Sequence, residues 1–176
     1  MRRRTAVSWG RLWLLDGSEE QGLTGHIRAL EDVQLTTPSI VSIGMFDGVH
    51  LGHQRLIRRL VKEARESGRT SVVLTFFPHP DVVLKGVTGR YYLTSPDERA
   101  QLLLGAGVDV VITHQFNERV RHIRAADFVG QLREHLKMAA LWVGPNFALG
   151  YKREGDVDFL KAQGVDKGFT VETVDL

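Results

Sequence analysis

The strongest constraint on the fold is an alternation, from residue 39 onward, between short apolar runs and longer segments with helical spacing. Residues 39–44 are rich in β-branched side chains and end in glycine, which is typical of a buried strand. In residues 53–67 the apolar side chains recur every three or four positions, and Gly68 stands where a helix commonly ends. Further strands are predicted at residues 71–77, 108–113, 139–144 and 169–174, with helices that begin at Ser95, cover 128–136 and cover 156–163.

Short apolar strands separated by helices predict an α/β fold, a Rossmann-like doubly wound parallel sheet of five strands with helices on both faces. The helix that starts at Ser95 should begin with a capping box, because Ser95 can pair with Glu98 and Pro96 suits the first turn. Open sheets of this kind bind ligands beyond the carboxyl ends of their strands. The loops that follow residues 43, 77, 113 and 143 are therefore the first places to look for chemistry.

The first 25 residues do not follow this pattern. Three arginines at positions 2–4 precede a partly apolar segment, but Arg11 interrupts that segment and no small-residue cleavage site follows it. We expect residues 1–25 to be a leader that is disordered or not native to the domain, and residues 26–176 to form one domain. No stretch approaches the ~18 consecutive apolar residues of a membrane span, so no membrane partner is expected.

Composition excludes several classes of protein. The 176-residue chain has no cysteine, which excludes disulfides, thiolate zinc sites and cysteine nucleophiles and fits a cytoplasmic location. Lys plus Arg is 23 and Asp plus Glu is 21, which gives a net charge of +2. Because there is no basic stripe, no nucleic-acid partner is expected. We interpret the cluster of Arg55, Arg58 and Arg59 as a solvated helix face.

The loop after the first predicted strand carries the clearest chemical signal. It runs from Gly44 to His53, and its glycines let the backbone approach a phosphate while the next helix begins with unpaired N–H groups. It lacks the endings of Walker and dinucleotide-binding loops. His50 and His53 could both donate hydrogen bonds to a phosphate chain. The alternatives are a metal pair, which has no third ligand at a convincing spacing, and simple capping or solvation.

This segment resembles the His-x-Gly-His signature of the nucleotidylyltransferase superfamily. It is more closely similar to the Gly-x-Phe-Asp-Gly-Val-His run of bacterial FAD synthetases. Further blocks resemble that family in the same order, at residues 75–80 (TFFPHP), 93–99 (LTSPDER), 116–129, and 143–150 followed by Gly155 and Asp156. Ala148 and Leu149 depart from the family, which frequently has arginine and usually phenylalanine there, so two possible ligand contacts are lost.

The resemblance covers about residues 27–176. It implies an FMN adenylyltransferase (FAD synthetase) domain, which in many bacteria is the N-terminal half of a bifunctional riboflavin kinase/FAD synthetase. The implied substrates are ATP and FMN, and the implied products are FAD and pyrophosphate. Mg²⁺ is expected to bridge the phosphates rather than to occupy a site built by the protein.

The resemblance also implies roles for individual residues. His50 and His53 are the expected catalytic residues. The expected ATP-phosphate site consists of Gly44, Met45, Phe46, Asp47, Gly48 and Gly52. The expected flavin site consists of Phe76, Pro78, His79, Pro80 and Asn146. Either Phe76 or Phe77 could offer a ring face to the flavin, and burial of the aromatic strand end in the core is the alternative.

Several readings of the function stay open on the sequence alone. Family members carry a Ser-Ser/Thr-x-x-Arg type motif after the last predicted strand, so we expect a domain that is incomplete at its C-terminus and lacks the kinase. One alternative is a nucleotide- or flavin-binding fragment without turnover. Another is a different small-molecule nucleotidylyltransferase, although the Pro-His-Pro loop favours FMN. An RNA-binding synthetase-like module is disfavoured, because no Lys-Met-Ser-Lys motif is present.

Overall fold

The computed structural model describes residues 24–89 and 92–174. The predicted leader, residues 1–25, lies outside the described residues except for its last two positions. Within the described part of the chain, no helix is both long enough and apolar enough to cross a membrane.

The described residues contain eight strands. They are β1 (Gly25–Ile27), β2 (Ser39–Ile43), β3 (Thr70–Phe77), β4 (Val110–Gln115), β5 (Met138–Val143), β6 (Ala148–Leu149), β7 (Gly155–Asp156) and β8 (Thr170–Thr173). Six of them form one sheet in the order β1-β4-β3-β2-β5-β8, and every neighbouring pair in it is parallel. β6 and β7 form a separate antiparallel pair. The predicted α/β class with a parallel sheet is confirmed.

The sheet has six strands and not the five that were predicted. The additional strand, β1, pairs with β4 at the outer edge, where Gly25 lies opposite Val110. β1 is only three residues long and adjoins the predicted leader. It was not predicted, because three residues are too few to show the alternation of apolar and polar side chains that is typical of a strand. Gly25, which was counted with the leader, belongs to the sheet.

Six α-helices occur within the described residues. They are α1 (Leu51–Glu66), α2 (Pro80–Lys85), α3 (Pro96–Gly105), α4 (Glu118–Arg121), α5 (Ala125–Leu136) and α6 (Val157–Lys167). The predicted capping box at the start of α3 is present, because the Glu98 N–H donates to Ser95 Oγ at 3.2 Å and the Ser95 N–H donates to Glu98 Oε2 at 2.8 Å. α2 and α4 were not predicted, because they are too short for a periodic pattern.

A hydrophobic core lies on each face of the sheet, because side chains alternate along every strand. Val72 and Leu74 of β3 belong to the core that includes the buried face of α5, whereas Val73 belongs to the core that includes α1 and α3. The predicted covering of both faces by helices is therefore confirmed. The same alternation of side chains determines on which face of the sheet Phe76 and Phe77, the last residues of β3, lie.

The direction of the chain across the sheet reverses at β2, which lies between β3 and β5. The loops that follow β2 and β5 leave the same edge of the sheet side by side, since both strands are parallel. This is the switch point at which open α/β sheets bind ligands. The structure therefore directs attention to the loop after Ile43 and the loop after Val143.

Candidate functional site

The loop after β2 is held in a conformation that few residues adopt. Phe46 and Val49 have φ angles of 49° and 41°, and Gly48 has a φ of 69°. Positive φ is uncommon for a phenylalanine and costly for a β-branched valine. Phe46 is only 2% exposed and packs in the core, so its ring is not available to a ligand. A loop of this kind persists only where its surroundings fix it firmly.

His50 and His53 lie together at the start of α1. His50 is the N-cap residue, and its Nδ1 accepts a long hydrogen bond from the His53 N–H at 3.5 Å. The two imidazole rings stack with their centroids 3.7 Å apart, and the Phe46 ring lies 4.9 Å from that of His53. Because His50 Nδ1 accepts, neutral His50 carries its proton on Nε2, where it can donate to a ligand.

His53 is a neutral side chain near pH 7. Burial lowers its pKa first, the positive charges of His50 and Arg99 lower it further, and Asp47 opposes them, so that the pKa falls to about 4. Its Nδ1 atom is buried and has no hydrogen-bond partner among the described residues. A neutral imidazole donates one N–H. An anion brought beside this ring would raise its pKa.

Asp47 uses its carboxylate to bind the protein itself. Oδ1 accepts hydrogen bonds from the Thr94 N–H at 3.0 Å, the Thr94 hydroxyl at 2.9 Å and Arg99 Nη2 at 3.1 Å. Oδ2 accepts from the Leu93 N–H at 3.1 Å. Partial burial would raise the pKa of Asp47, but the bonds from Leu93 and Thr94 and the Arg99 charge outweigh it and lower the pKa. The carboxylate therefore joins this loop to the segment before α3.

The last two residues of β3 lie on opposite faces of the sheet. Phe76 packs in the core that includes α5, with its ring edge-on to Phe116 at 5.6 Å and tilted against Phe128 at 6.4 Å. Phe77 is 39% exposed, and its ring lies 5.4 Å from that of Tyr92. Of the two phenylalanines considered for the flavin, only Phe77 lies on the face that carries α1 and α3.

The residues after β3 form a helix cap. His79 Nδ1 accepts from the Asp81 N–H at 3.1 Å, and Pro80 is the first residue of α2. The His79 N–H donates to the Tyr92 hydroxyl at 2.9 Å. Pro78 joins β3 to this cap. The structure thus places the predicted Pro-His-Pro segment at the carboxyl end of β3, the strand next to β2.

The loop after β5 carries Asn146 on the surface, where its backbone oxygen accepts from Arg153 Nη2 at 3.0 Å. A cleft of about 550 Å³ lies beside it, lined by Asn146, Phe147, Arg153, Asp156 and Asp158, among others. Leu149 is buried in the core. The departure from the family at this position therefore changes core packing, while Ala148 contributes to the cleft wall.

Comparison with known proteins agrees with the motif and the fold. The sequence model of the FAD synthetase family matches residues 32–176. The chain belongs to the FAD synthetase family. It is 41% identical over 142 residues to a bifunctional riboflavin kinase/FMN adenylyltransferase of Pseudomonas fluorescens, covering 76% of this chain and 43% of that protein. The corresponding protein of Escherichia coli K12 is 34% identical over 133 residues, covering 75% of this chain and 42% of that protein.

A solved structure shares the fold. It is the crystal structure described as a macrolide-efflux protein from Streptococcus pneumoniae. The match has a TM-score of 0.70 and 25% sequence identity, and it covers 86% of this chain and 49% of that chain. The chain spans less than half the length of the curated FAD synthetase relatives named above.

Sequence reasoning missed a set of polar residues that support the histidine loop. Arg99 is fully buried, and Thr75 and Thr94 bind both the loop and the Arg99 guanidinium. The block at residues 93–99, which contains Thr94 and Arg99, resembles the FAD synthetase family, and its predicted role was the capping box of Ser95 and Glu98. One signal was available: Arg99 shares a helix face with Ala100 and Leu103, so the pattern placed a charge at a core position.

The described residues offer no ready protein-built metal site. No group of three His, Asp or Glu side chains in residues 24–89 and 92–174 is arranged to hold a metal ion. Asp47, the carboxylate within the histidine loop, has both oxygens engaged by the donors named above. A second groove of about 450 Å³, lined by His114, Arg119, Gln131 and His135 among others, lies near β1 and α5 and is not lined by His50 or His53.

Proposed function

We propose that this domain is an FMN adenylyltransferase, which transfers AMP from ATP to FMN and gives FAD and pyrophosphate. The observation that carries the proposal is the pair of stacked imidazoles at the N-terminus of α1, in the loop at the switch point of the sheet. The curated relatives bear this activity in their names. Because the match covers less than half of those relatives, we propose only the transferase for these residues and not the riboflavin kinase.

In the proposed reaction, a phosphate oxygen of FMN attacks the α-phosphorus of ATP. A new P–O bond forms, the bond between the α-phosphorus and the bridging oxygen breaks, and pyrophosphate leaves with the electron pair. The protein's task is to hold two anionic groups in line and to stabilise the negative charge that spreads in the transition state. No side chain needs to form a covalent bond.

We assign the phosphate contacts to the histidine loop. His50 Nε2–H and the single N–H of neutral His53 would donate to phosphate oxygens, and the N-terminus of the 16-residue helix α1 adds a favourable partial positive charge. The backbone of Met45, Phe46 and Gly52 would contribute N–H groups. The Gly44 and Gly48 N–H groups already donate to the Leu74 carbonyl and the Thr94 hydroxyl, so these two glycines would let the backbone approach the phosphates closely. Asp47, although grouped with them from the sequence, would act by fixing the loop, since its carboxylate is already bound.

We assign the flavin to the end of β3 and the loop after β5. Pro78, His79 and Pro80 would border the ring, and the Asn146 amide would donate to or accept from its polar edge. Phe77 would take the role considered for either phenylalanine, because the ring of Phe76 packs in the core. Mg²⁺ would arrive with ATP and bridge phosphate oxygens. We place the reaction in the cytoplasm, with which a cysteine-free chain is compatible.

An assay with ATP and a set of acceptors tests the proposal. The purified chain and the chain extended by any downstream reading frame are each incubated with ATP, Mg²⁺ and FMN, nicotinamide mononucleotide or phosphopantetheine. FAD and pyrophosphate formed in equal amounts only with FMN support the proposal. Adenylylation of another acceptor indicates a different nucleotidylyltransferase. Binding of ATP and FMN without pyrophosphate release by either protein indicates a binding fragment.

A further inference from the structure

Arg99, on the first turn of α3, has an unusual environment for an arginine. Its side chain is 0% exposed. The guanidinium donates to Asp47 Oδ1 at 3.1 Å, to the Thr94 carbonyl at 3.2 Å and to the Thr94 hydroxyl at 3.3 Å. It also donates to the Thr75 hydroxyl at 3.4 Å. A buried charge is costly unless it is paired and hydrogen-bonded. These four contacts supply that pairing, and they attach Arg99 to Asp47, Thr94 and Thr75.

Every polar partner of Arg99 also binds the histidine loop or belongs to it. The Thr75 hydroxyl donates to the Met45 carbonyl at 3.0 Å, and the Thr94 hydroxyl accepts from the Gly48 N–H at 3.2 Å. Asp47 is itself part of the loop. Three of the residues between Gly44 and Val49 are therefore attached to this one guanidinium, directly or through a threonine.

This attachment accounts for the conformation of the loop. Phe46 and Val49 adopt positive φ angles, and each such residue costs of order 1–3 kcal/mol unless the surroundings compensate. Gly48 is confined as well, because a Cβ there would lie 2.9 Å from Leu93 Cδ1. The Leu93 and Thr94 N–H groups that hold Asp47 come from the same segment. Contacts from the α3 side thus fix the turn, in addition to the core packing of Phe46 and the hydrogen bond from the Val49 N–H to the Phe46 carbonyl.

The Asp47–Arg99 pair also matters for charge. Without Arg99, the Asp47 carboxylate would stand as an uncompensated negative charge in the loop to which we assign the phosphates. Like charges held within one loop repel each other more strongly where water is partly excluded. Arg99 neutralises the charge of Asp47. The N–H donors of the histidines and the partial positive charge at the N-terminus of α1 can then attract an anion without an opposing charge.

We propose that Arg99 is a positioning residue for adenylyl transfer, which holds the Phe46–Val49 turn through Asp47, Thr94 and Thr75 and cancels the Asp47 charge beside the bound phosphates. The proposal rests on the proposed transferase function and adds to it a buried residue that touches neither substrate. It distinguishes two contributions, geometry and charge, which different substitutions separate.

The test compares Arg99→Met, Arg99→Lys and Asp47→Asn in the active protein, with Arg133→Met as the matched control. Arg133 is a half-buried arginine that packs over the Phe169 ring at 6.0 Å, on α5. Initial rates give kcat and KM for ATP and for FMN, and thermal unfolding shows that each variant is folded.

Arg99→Met loses both contributions, and we expect kcat/KM for ATP to fall about 10²-fold, the effect associated with a misplacement of reacting groups by about 1 Å. Asp47→Asn loses one loop contact and leaves the Arg99 charge, so kcat should fall while KM for ATP stays the same or decreases. Arg99→Lys keeps the charge without the planar fork, so kcat should fall with KM for ATP unchanged. Arg133→Met should keep both constants.

The proposal is overturned if folded Arg99→Met keeps the parent kcat and KM for ATP, since Arg99 would then only stabilise the fold. If Arg99→Met does not fold, Arg99→Lys and Asp47→Asn decide, and parent values of kcat in both overturn it. A parent protein that forms no FAD removes the proposed function alone. The role of Arg99 is then tested by ATP affinity: at least tenfold weaker binding in Arg99→Met than in Arg133→Met supports it, and equal affinities overturn it.

Discussion

The imidazole of His53 stacks on that of His50 with their centroids 3.7 Å apart. The stack couples the two rings electrically as well as sterically, since a positive charge on His50 disfavours protonation of His53. Burial and this neighbour hold the pKa of His53 at about 4. The pair therefore offers N–H donors near pH 7 without two adjacent positive charges.

The first prediction concerns the contribution of His53 to the rate. His53→Gln should lower the rate of FAD formation roughly 10²-fold or more, as the loss of one transition-state donor does, because the flexible glutamine amide has no ring to stack on His50 and does not hold its N–H in the fixed position of the imidazole. Initial rates of FAD and pyrophosphate formation measure it. His135→Gln is the matched control, since His135 lies near the C-terminal end of α5 and binds the Val33 carbonyl. A rate for His53→Gln equal to that of the control would remove His53 from the mechanism.

The second prediction concerns the pH dependence of stability. The pKa of His53 is about 4 in the folded protein and 6.5 for an ordinary histidine, so the unfolded chain binds the proton more readily. The contribution of neutral His53 to the free energy of unfolding is therefore complete above about pH 6.5 and is lost as pH falls from 6.5 toward 4. Urea unfolding of the parent and His53→Gln across this range measures the difference.

His26 and His114 also have pKa values lowered chiefly by burial. They titrate in both proteins, so their effects cancel when the two curves are subtracted. If the difference between parent and His53→Gln is independent of pH from 7.5 to 4.5, the environment assigned to His53 is wrong.

Much of the architecture could be predicted because its determinants are local. The spacing of the apolar residues in α1 and the capping residues Ser95 and Glu98 act within a few positions, and the structure has the predicted helices. β1 was missed because three residues carry no periodicity, and its place depends on pairing with β4, which is distant in sequence.

The candidate site likewise has one part that could be predicted from the sequence and one part that could not. The histidine loop could be recognised because the two histidines, the glycines and the helix start lie within ten residues. The Asp47–Arg99 contact joins residues 52 positions apart, and only the packing of α3 against the sheet brings them together. The choice between Phe76 and Phe77 depends on which face of the sheet each side chain lies on. A shift of one residue in the strand register would exchange their faces.

The third prediction separates these two phenylalanines. Phe77→Ala should raise KM for FMN several-fold, because an exposed ring on the α1 face is lost, with unfolding changed by less than about 1 kcal/mol. Phe76→Ala should lower the free energy of unfolding by roughly 3 kcal/mol, since it removes a ring packed against Phe116 and Phe128. Kinetics with FMN as the varied substrate and urea unfolding measure the two effects. A larger KM effect from Phe76→Ala in folded protein would reverse the assignment.

The fourth prediction concerns the docking of the β6–β7 pair on the start of α5. Glu154, in the turn between these strands, accepts from the Ala125 N–H at 2.9 Å and from Arg124 Nε at 2.7 Å, and so supplies the cap that the N-cap residue Arg124 does not. Gly150 makes the close approach possible, because its φ is 79° and a Cβ there would lie 2.6 Å from the backbone of Ala125.

Gly150→Ala should therefore lower the free energy of unfolding by about 3 kcal/mol, combining overpacking with the cost of a positive φ for a residue that has a Cβ. Gly130→Ala provides a control of opposite sign. Gly130 lies within α5 with no atom within 4 Å of an added Cβ, so alanine should stabilise the protein by about 0.5–1 kcal/mol. Urea unfolding midpoints of the two variants and the parent measure both shifts. If both midpoints move in the same direction, the close contact between the β6–β7 turn and α5 is not the constraint that we infer.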